Sequence, residues 1–222
     1  MNVILNIDTA LNSASVCLAK DAEILSLVIN DNQTDHASWL HTAIAELLQK
    51  NDYTIHELNA VAVSIGPGSY TGLRVGLSAA KGLCYALNIP LIAISTLKLI
   101  ANAAKAEADT LICPMIDARR MEVFTAVYDK ELREIYPSHA MLLDETIFAP
   151  ELATHKIIFC GTGSKKLQPL LSGKNAVFSE TKSNASHLAA LSIASYNDND
   201  FADLAYLEPL YIKEFYSPHH KP

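Results

Sequence analysis

Four small residues spaced by four, Gly68, Gly72, Gly76 and Ala80, constrain the fold more than any other feature of this chain. Positions four apart share one face of a helix, and each interior glycine costs about 1 kcal/mol against alanine. Two such glycines need a compensating gain, and the usual one is another backbone passing very close to that face. Ahead of them, Val61, Ala62, Val63, Ser64 and Ile65 form a short, β-branched apolar run that stops at Gly66-Pro67-Gly68, as a buried strand ended by a tight turn does. A hydroxyl from Ser69 or Thr71 can cap the helix that follows. Its apolar periodicity through Leu73, Leu77, Ala80, Leu83, Ala86 and Leu87 predicts a helix as far as Asn88, and Pro90 prevents its continuation. Residues 91–95 then read as a second buried strand, so the unit is a right-handed parallel crossover. The free N–H groups at the helix start could hold an anion, but no Gly-Lys-Ser/Thr follows, and Thr71 stands where a dinucleotide fingerprint needs its third glycine. Close packing is the stronger reading for Gly66, Pro67, Gly68, Gly72 and Gly76.

Upstream, residues 3–7, 15–19 and 24–29 read as three consecutive strands joined by polar turns. Asp35 is placed to cap a helix to Lys50, whose stripe is Trp39, Leu40, Ala43, Ile44, Leu47 and Leu48. After residue 95 a helix from Thr96 to about Lys105 leads into an alanine-rich, charged stretch, and a boundary there divides the chain into 1–105 and 106–222. The second half opens as the first does. Residues 111–116 form a strand, 117–120 a polar turn and 122–128 a strand, followed by strands at 134–136, 140–143 and 157–160. Helices are expected at 164–171, 186–196 and near 201–205, and the last residues, SPHHKP, as a mobile tail.

Half of the 222 residues are hydrophobic and 18% charged, the balance of a globular protein with room for two small cores. No apolar run approaches a membrane span, and no basic residue precedes the apolar run at the N-terminus, so a cytoplasmic location is expected. Cys17, Cys84, Cys113 and Cys160 show no CxxC spacing and sit among apolar neighbours, as reduced buried thiols do. With 24 acidic against 17 basic residues the net charge is −7, and the sequence shows no basic stripe beyond pairs such as Arg119-Arg120 and Lys165-Lys166. Direct RNA binding is therefore not expected, and any role near RNA runs through a partner.

Asp8 and Asp117 each end the first strand of a half, where an open sheet presents ligand groups. Aspartates at such positions carry Mg²⁺ in two-domain phosphoryl-transfer enzymes, but the first hairpin, with Thr9, Ser13 and Ser15, contains no glycine. In the second, Arg119 and Arg120 stand where a phosphate needs bare backbone. Both aspartates are better read as bonded to turn amides, remnants of a nucleotide site together with Thr9. His36 and His41 are five apart, whereas a metal pair on one helix face needs three or four. No metal and no cofactor is expected, and no nucleophile with an assignable base. The helix bearing Trp39 and the glycine-faced helix could together form a packed interface, unless Trp39 belongs to the domain's own core.

The segments NIDTA, SIGPGSYTGLRVGLSAAKGL, IDARRMEVFTAVY and LEPLYI closely resemble the bacterial TsaB family, also called YeaZ, over residues 3–213. The resemblance implies an α/β, two-domain actin-like (ribonuclease-H-like) fold with mixed sheets flanked by helices. It also implies a role in forming N6-threonylcarbamoyladenosine at position 37 of tRNAs reading codons that begin with A. In that family the non-catalytic member pairs with the transferase TsaD, with the ATPase TsaE as third component, and touches tRNA only through TsaD. The pairing helices correspond to residues 35–50 and 70–87, so the implied interface comprises His36, Trp39, Leu40, Ala43, Leu47, Tyr70, Leu73, Arg74 and Leu77. Self-pairing through the same surface is also implied. A stand-alone actin-like ATPase or small-molecule kinase is the alternative.

Overall fold

A computed structural model describes residues 1–32, 36–104, 106–107 and 109–213. One mixed sheet contains β1 (Val3–Asp8), β2 (Ala14–Lys20), β3 (Glu23–Asn30), β4 (Ala60–Ser64) and β5 (Leu91–Ile94), in the order β3-β2-β1-β4-β5. A second contains β6 (Thr110–Asp117), β7 (Glu122–Tyr128), β8 (Glu134–Leu142), β9 (Lys156–Cys160) and β10 (Ala176–Phe178), in the order β10-β9-β6-β7-β8. The two orders are the same pattern. In each, an antiparallel three-strand meander is extended by two parallel strands on the free side of its first strand.

Among the described residues six α-helices flank the sheets: α1 (His36–Lys50), α2 (Tyr70–Leu87), α3 (Thr96–Ala104), α4 (Ala149–Thr154), α5 (Ser164–Leu167) and α6 (Leu188–Asn197). Because side chains alternate along a strand, Val3, Leu5 and Ile7 of β1 join Val61 and Val63 of β4 beneath α1 and α2. Ile4, Ala60, Ala62 and Ile92 face the other way and meet Leu99 of α3 and Leu188 of α6. On the second sheet, Ile112, Ile116, Ala126 and Tyr128 pack against Leu97, Ile100 and Ala101 of α3. Its opposite face, with Cys113, Met115, Val123 and Phe159, is closed by Phe148 and Leu167. The layers therefore run helix, sheet, helix, sheet, helix. Helix α3, from the first half of the chain, lies on the second sheet, and α6, from the second half, lies on the first.

Several elements differ from expectation. Residues 134–142 make one strand, because β8 pairs along β7 through two irregularities of register instead of breaking. The helix expected at 164–171 ends at Leu167, and residues 201–205 form a bridge and turns in which Ala202 pairs with Leu91. Helix α4 and strand β10 were not expected; each is short, and β10 pairs only with β9. Asp35, Lys105 and the terminal SPHHKP lie outside the described residues.

Ser69 caps α2, its hydroxyl accepting from the Gly72 N–H at 3.3 Å, and Asn88 ends the helix in the left-handed conformation. The glycine face does not meet another helix. A Cβ on Gly72 would collide with the Thr9 carbonyl oxygen, one on Gly76 with the Thr9 hydroxyl, and one on Gly68 with the Ala10 carbonyl. The close neighbour is thus the chain's own β1–β2 turn, fastened by Thr9 Oγ1 donating to the Gly72 carbonyl at 2.7 Å and the Ser69 N–H donating to the Ala10 carbonyl.

Candidate functional site

Both strand-end aspartates are engaged by their own lobe. Asp8 is buried, and its Oδ1 accepts from the Ser64 hydroxyl at 2.6 Å and from the Ala10 N–H at 3.2 Å. Asp117 is exposed, and its Oδ1 accepts from the Arg119 N–H and from Lys166 Nζ, each at 2.6 Å. Partial burial raises the pKa of the Asp117 carboxyl. The Lys166 ammonium and the Arg119 amide outweigh that effect and hold the carboxyl below the usual aspartate range. Arg119 and Arg120 both adopt positive φ, 71° and 49°, at the tip of this hairpin. Sequence reading noted Lys166 only as half of a basic pair and did not place it beside Asp117. Only the fold brings α5 beside β6, and a lysine 49 positions away carries no local signal. Among the described residues no three His, Cys, Asp or Glu side chains converge as metal ligands would.

The expected helical interface requires correction at five positions. Leu40, Ala43, Leu47, Leu73 and Leu77 are all buried in the core of the first lobe, so they present no surface to a partner. The apolar stripe of each helix faces the first sheet, as an amphipathic helix on a sheet must. Trp39 is half-buried at the edge of this core, Tyr70 and Arg74 are exposed, and the side chain of His36 lies outside the described residues. What the two helices do leave open is the seam between them. A groove of about 630 Å³ is lined by Ala37, His41, Tyr70, Arg74, Ser78 and Gly82. It continues past His41 and Leu83 into a hollow of about 400 Å³ floored by Ile44, Leu48 and Tyr53. Gly82 widens the groove, since a Cβ there would meet nothing within 4 Å.

At one end of the groove the Arg74 guanidinium sits 4.0 Å from the centre of the Tyr70 ring and donates to the Tyr211 hydroxyl at 3.1 Å. The rings of Tyr70 and Tyr211 are 5.2 Å apart. Tyr211 arrives on a C-terminal strap whose Leu210 N–H donates to the Ile65 carbonyl at 2.7 Å. Lys81 of α2 donates to the carbonyls of Ala205 and Leu207, and Lys213 pairs with Glu122 of the second lobe. The motif LEPLYI carried a signal for this segment without showing where it lies.

Among the described residues no helix is long and apolar enough to cross a membrane. Residues 23–209 match the family model for TsaD, tRNA N6-adenosine threonylcarbamoyltransferase. The chain is 30% identical over 161 residues to the tRNA threonylcarbamoyladenosine biosynthesis protein TsaB of Bacillus subtilis, which covers 71% of this chain and 70% of that one. It is 30% identical over 155 residues to TsaB of Escherichia coli, covering 69% and 65% respectively. The solved structure of YeaZ from Pseudomonas aeruginosa superposes with a TM-score of 0.83 at 24% identity, over 95% of this chain and 100% of that one, which shows the shared fold. The chain belongs to the TsaB (YeaZ) family of tRNA threonylcarbamoyladenosine biosynthesis proteins.

Proposed function

We propose that this protein is a non-catalytic partner of TsaD in forming N6-threonylcarbamoyladenosine at position 37 of tRNAs that read codons beginning with A, and that it docks through the seam of α1 and α2. The observation that carries this reading is the open groove between the two helices, with an exposed Tyr70–Arg74–Tyr211 cluster at its end. Tyrosine and arginine are the residues on which interface energy concentrates, and a groove between helices accepts the ridge of a third. The reading of the protein as non-catalytic rests on Asp8 and Asp117, each already bonded to groups of its own lobe. Net charge −7 supports contact with tRNA only through TsaD, with TsaE completing the cytoplasmic assembly. In isolation the same seam serves self-pairing.

The test is a double variant, Tyr70→Ala with Arg74→Glu, mixed with purified TsaD and run on gel filtration. The expected result is an unchanged melting temperature, separate elution and no modified tRNA in a reaction reconstituted with TsaE. Co-elution with TsaD and full modification by this variant would overturn the docking surface. Turnover of Mg-ATP by the isolated wild-type chain would make it an ATPase or kinase in its own right.

A further inference from the structure

The C-terminal strap, residues 201–213, contains no helix and pairs with the first sheet in a single bridge, Ala202 with Leu91. A segment without a ladder of its own is placed by a few fixed contacts, and loosening one of them loosens its neighbours. Leu204 and Leu207 pack on the first core, and the half-buried Lys81 donates to the carbonyls of Ala205 and Leu207 at 3.4 and 3.0 Å. Farther on, the Leu210 carbonyl passes so close to Gly66 that a Cβ there would lie 2.5 Å from its oxygen. Tyr211 then reaches Arg74. The strap thus runs antiparallel to α2, from Lys81 back to Arg74, over about 10 Å of helix.

Lys81 does not line the groove between α1 and α2, yet the segment it holds ends on the exposed cluster at the end of that groove. Among the described residues no carboxylate pairs with Arg74. Its guanidinium is oriented by the Tyr70 ring and, at Nε, by the Tyr211 hydroxyl, which leaves the two terminal nitrogens as open donors. A loose arginine must give up its rotamer freedom when it binds, whereas one already fixed does not. We propose that the strap presets Arg74 for docking, with Tyr211 orienting the guanidinium and Lys81 acting as a positioning residue through the strap. The inference rests on the docking reading above and names what sets the affinity of that surface. Lys81 fixes the carbonyls on either side of Tyr206, Tyr211 arrives in register with Arg74, and TsaD meets a donor fork that is already aimed.

The test is a double-mutant cycle on the full chain, read by calorimetric titration with purified TsaD and by amide hydrogen exchange at Leu210. Tyr211→Phe keeps the ring and removes the acceptor; Lys81→Met keeps the stem and removes the donors. Each is expected to weaken TsaD binding by about tenfold, as loss of a hydrogen bond to a charged group does, and Lys81→Arg to restore most of it. Exchange at Leu210 should quicken in Lys81→Met. In an Arg74→Ala background neither change should cost more than about twofold, because residues that act through one group are not additive. Tyr211→Phe, which removes a single oxygen, keeps the cycle readable if Lys81→Met lowers the melting temperature. Wild-type affinity in Tyr211→Phe and Lys81→Met beside a weakened Arg74→Ala would overturn this inference alone. So would an equal loss in both backgrounds, since the two residues would then act on the fold or on TsaD directly, and unchanged exchange at Leu210 would overturn the role of Lys81. Wild-type affinity in Arg74→Ala would overturn the docking surface and this inference with it.

Discussion

The two lobes have the same strand order and end their first strands in the same residue, yet they treat that aspartate in opposite ways. In the first lobe the turn after Asp8 is clamped under Gly68, Gly72 and Gly76, and the carboxylate is buried against Ser64. In the second, the turn after Asp117 projects into solvent, carries Arg119 and Arg120 at positive φ, and leaves an exposed carboxylate to the half-buried Lys166. Similar topology therefore does not imply similar energetics. One hairpin is part of a packed core; the other is held by exposed charge.

The sharpest way to break this comparison is Gly72→Leu. Overpacking against backbone that cannot move aside typically costs about 1–3 kcal/mol and occasionally more. The site here meets the Thr9 carbonyl of the buried β1–β2 turn, so loss of cooperative melting is expected; a normal melt would show that the turn is not clamped. Next comes the aspartate pair. Asp8→Ala leaves a buried serine hydroxyl and a turn amide without their acceptor and should cost about 1–3 kcal/mol in urea unfolding. Asp117→Ala should change stability by less than about 1 kcal/mol, because the carboxylate itself is exposed to solvent. Equal costs would erase the distinction between the lobes.

Gly82 lies on the same helix as Gly72 but faces open space. Gly82→Ala should therefore raise stability by about 1 kcal/mol, and a loss would mean that the open seam is wrongly assigned. The smallest effect is in acid. The Asp117 carboxyl has a depressed folded pKa, so its pair with Lys166 contributes above the unfolded value near about 3.9. That contribution fades as pH falls through the folded value. In Lys166→Ala the difference in urea midpoint between pH 6 and pH 3 should shrink by an amount equivalent to about 0.5 kcal/mol; an unchanged difference would show that the ion pair adds nothing.

The helix and strand pattern around residues 60–95 was legible because local signals agree there: a β-branched run, a glycine turn, a capping serine and a proline stop. The spacing of Gly72 and Gly76 showed that a backbone must come close, but not whose. The close neighbour is Thr9, through its carbonyl at Gly72 and its hydroxyl at Gly76, more than sixty positions earlier, a contact created by the parallel pairing of β1 and β4. For the same reason Leu40, Ala43, Leu47, Leu73 and Leu77 were read as an interface. An apolar stripe says that a helix face is covered and does not say by what. Short elements such as α4 and β10 carry too few residues for periodicity to register, and the C-terminal strap is held largely by backbone carbonyls, which leave no mark in side-chain pattern.

The exchange of helices between the halves bears on how the protein is made. When synthesis has reached Ile94 the first sheet has all five of its strands, but the face bearing Ile4, Ala60, Ala62 and Ile92 has only Leu99 of α3 to cover it until α6 emerges about a hundred residues later. Through that interval the nascent chain carries an adhesive apolar sheet face. Splitting the gene after residue 105 is therefore expected to yield an aggregating fragment, because Leu188 and its helix are then missing from that face.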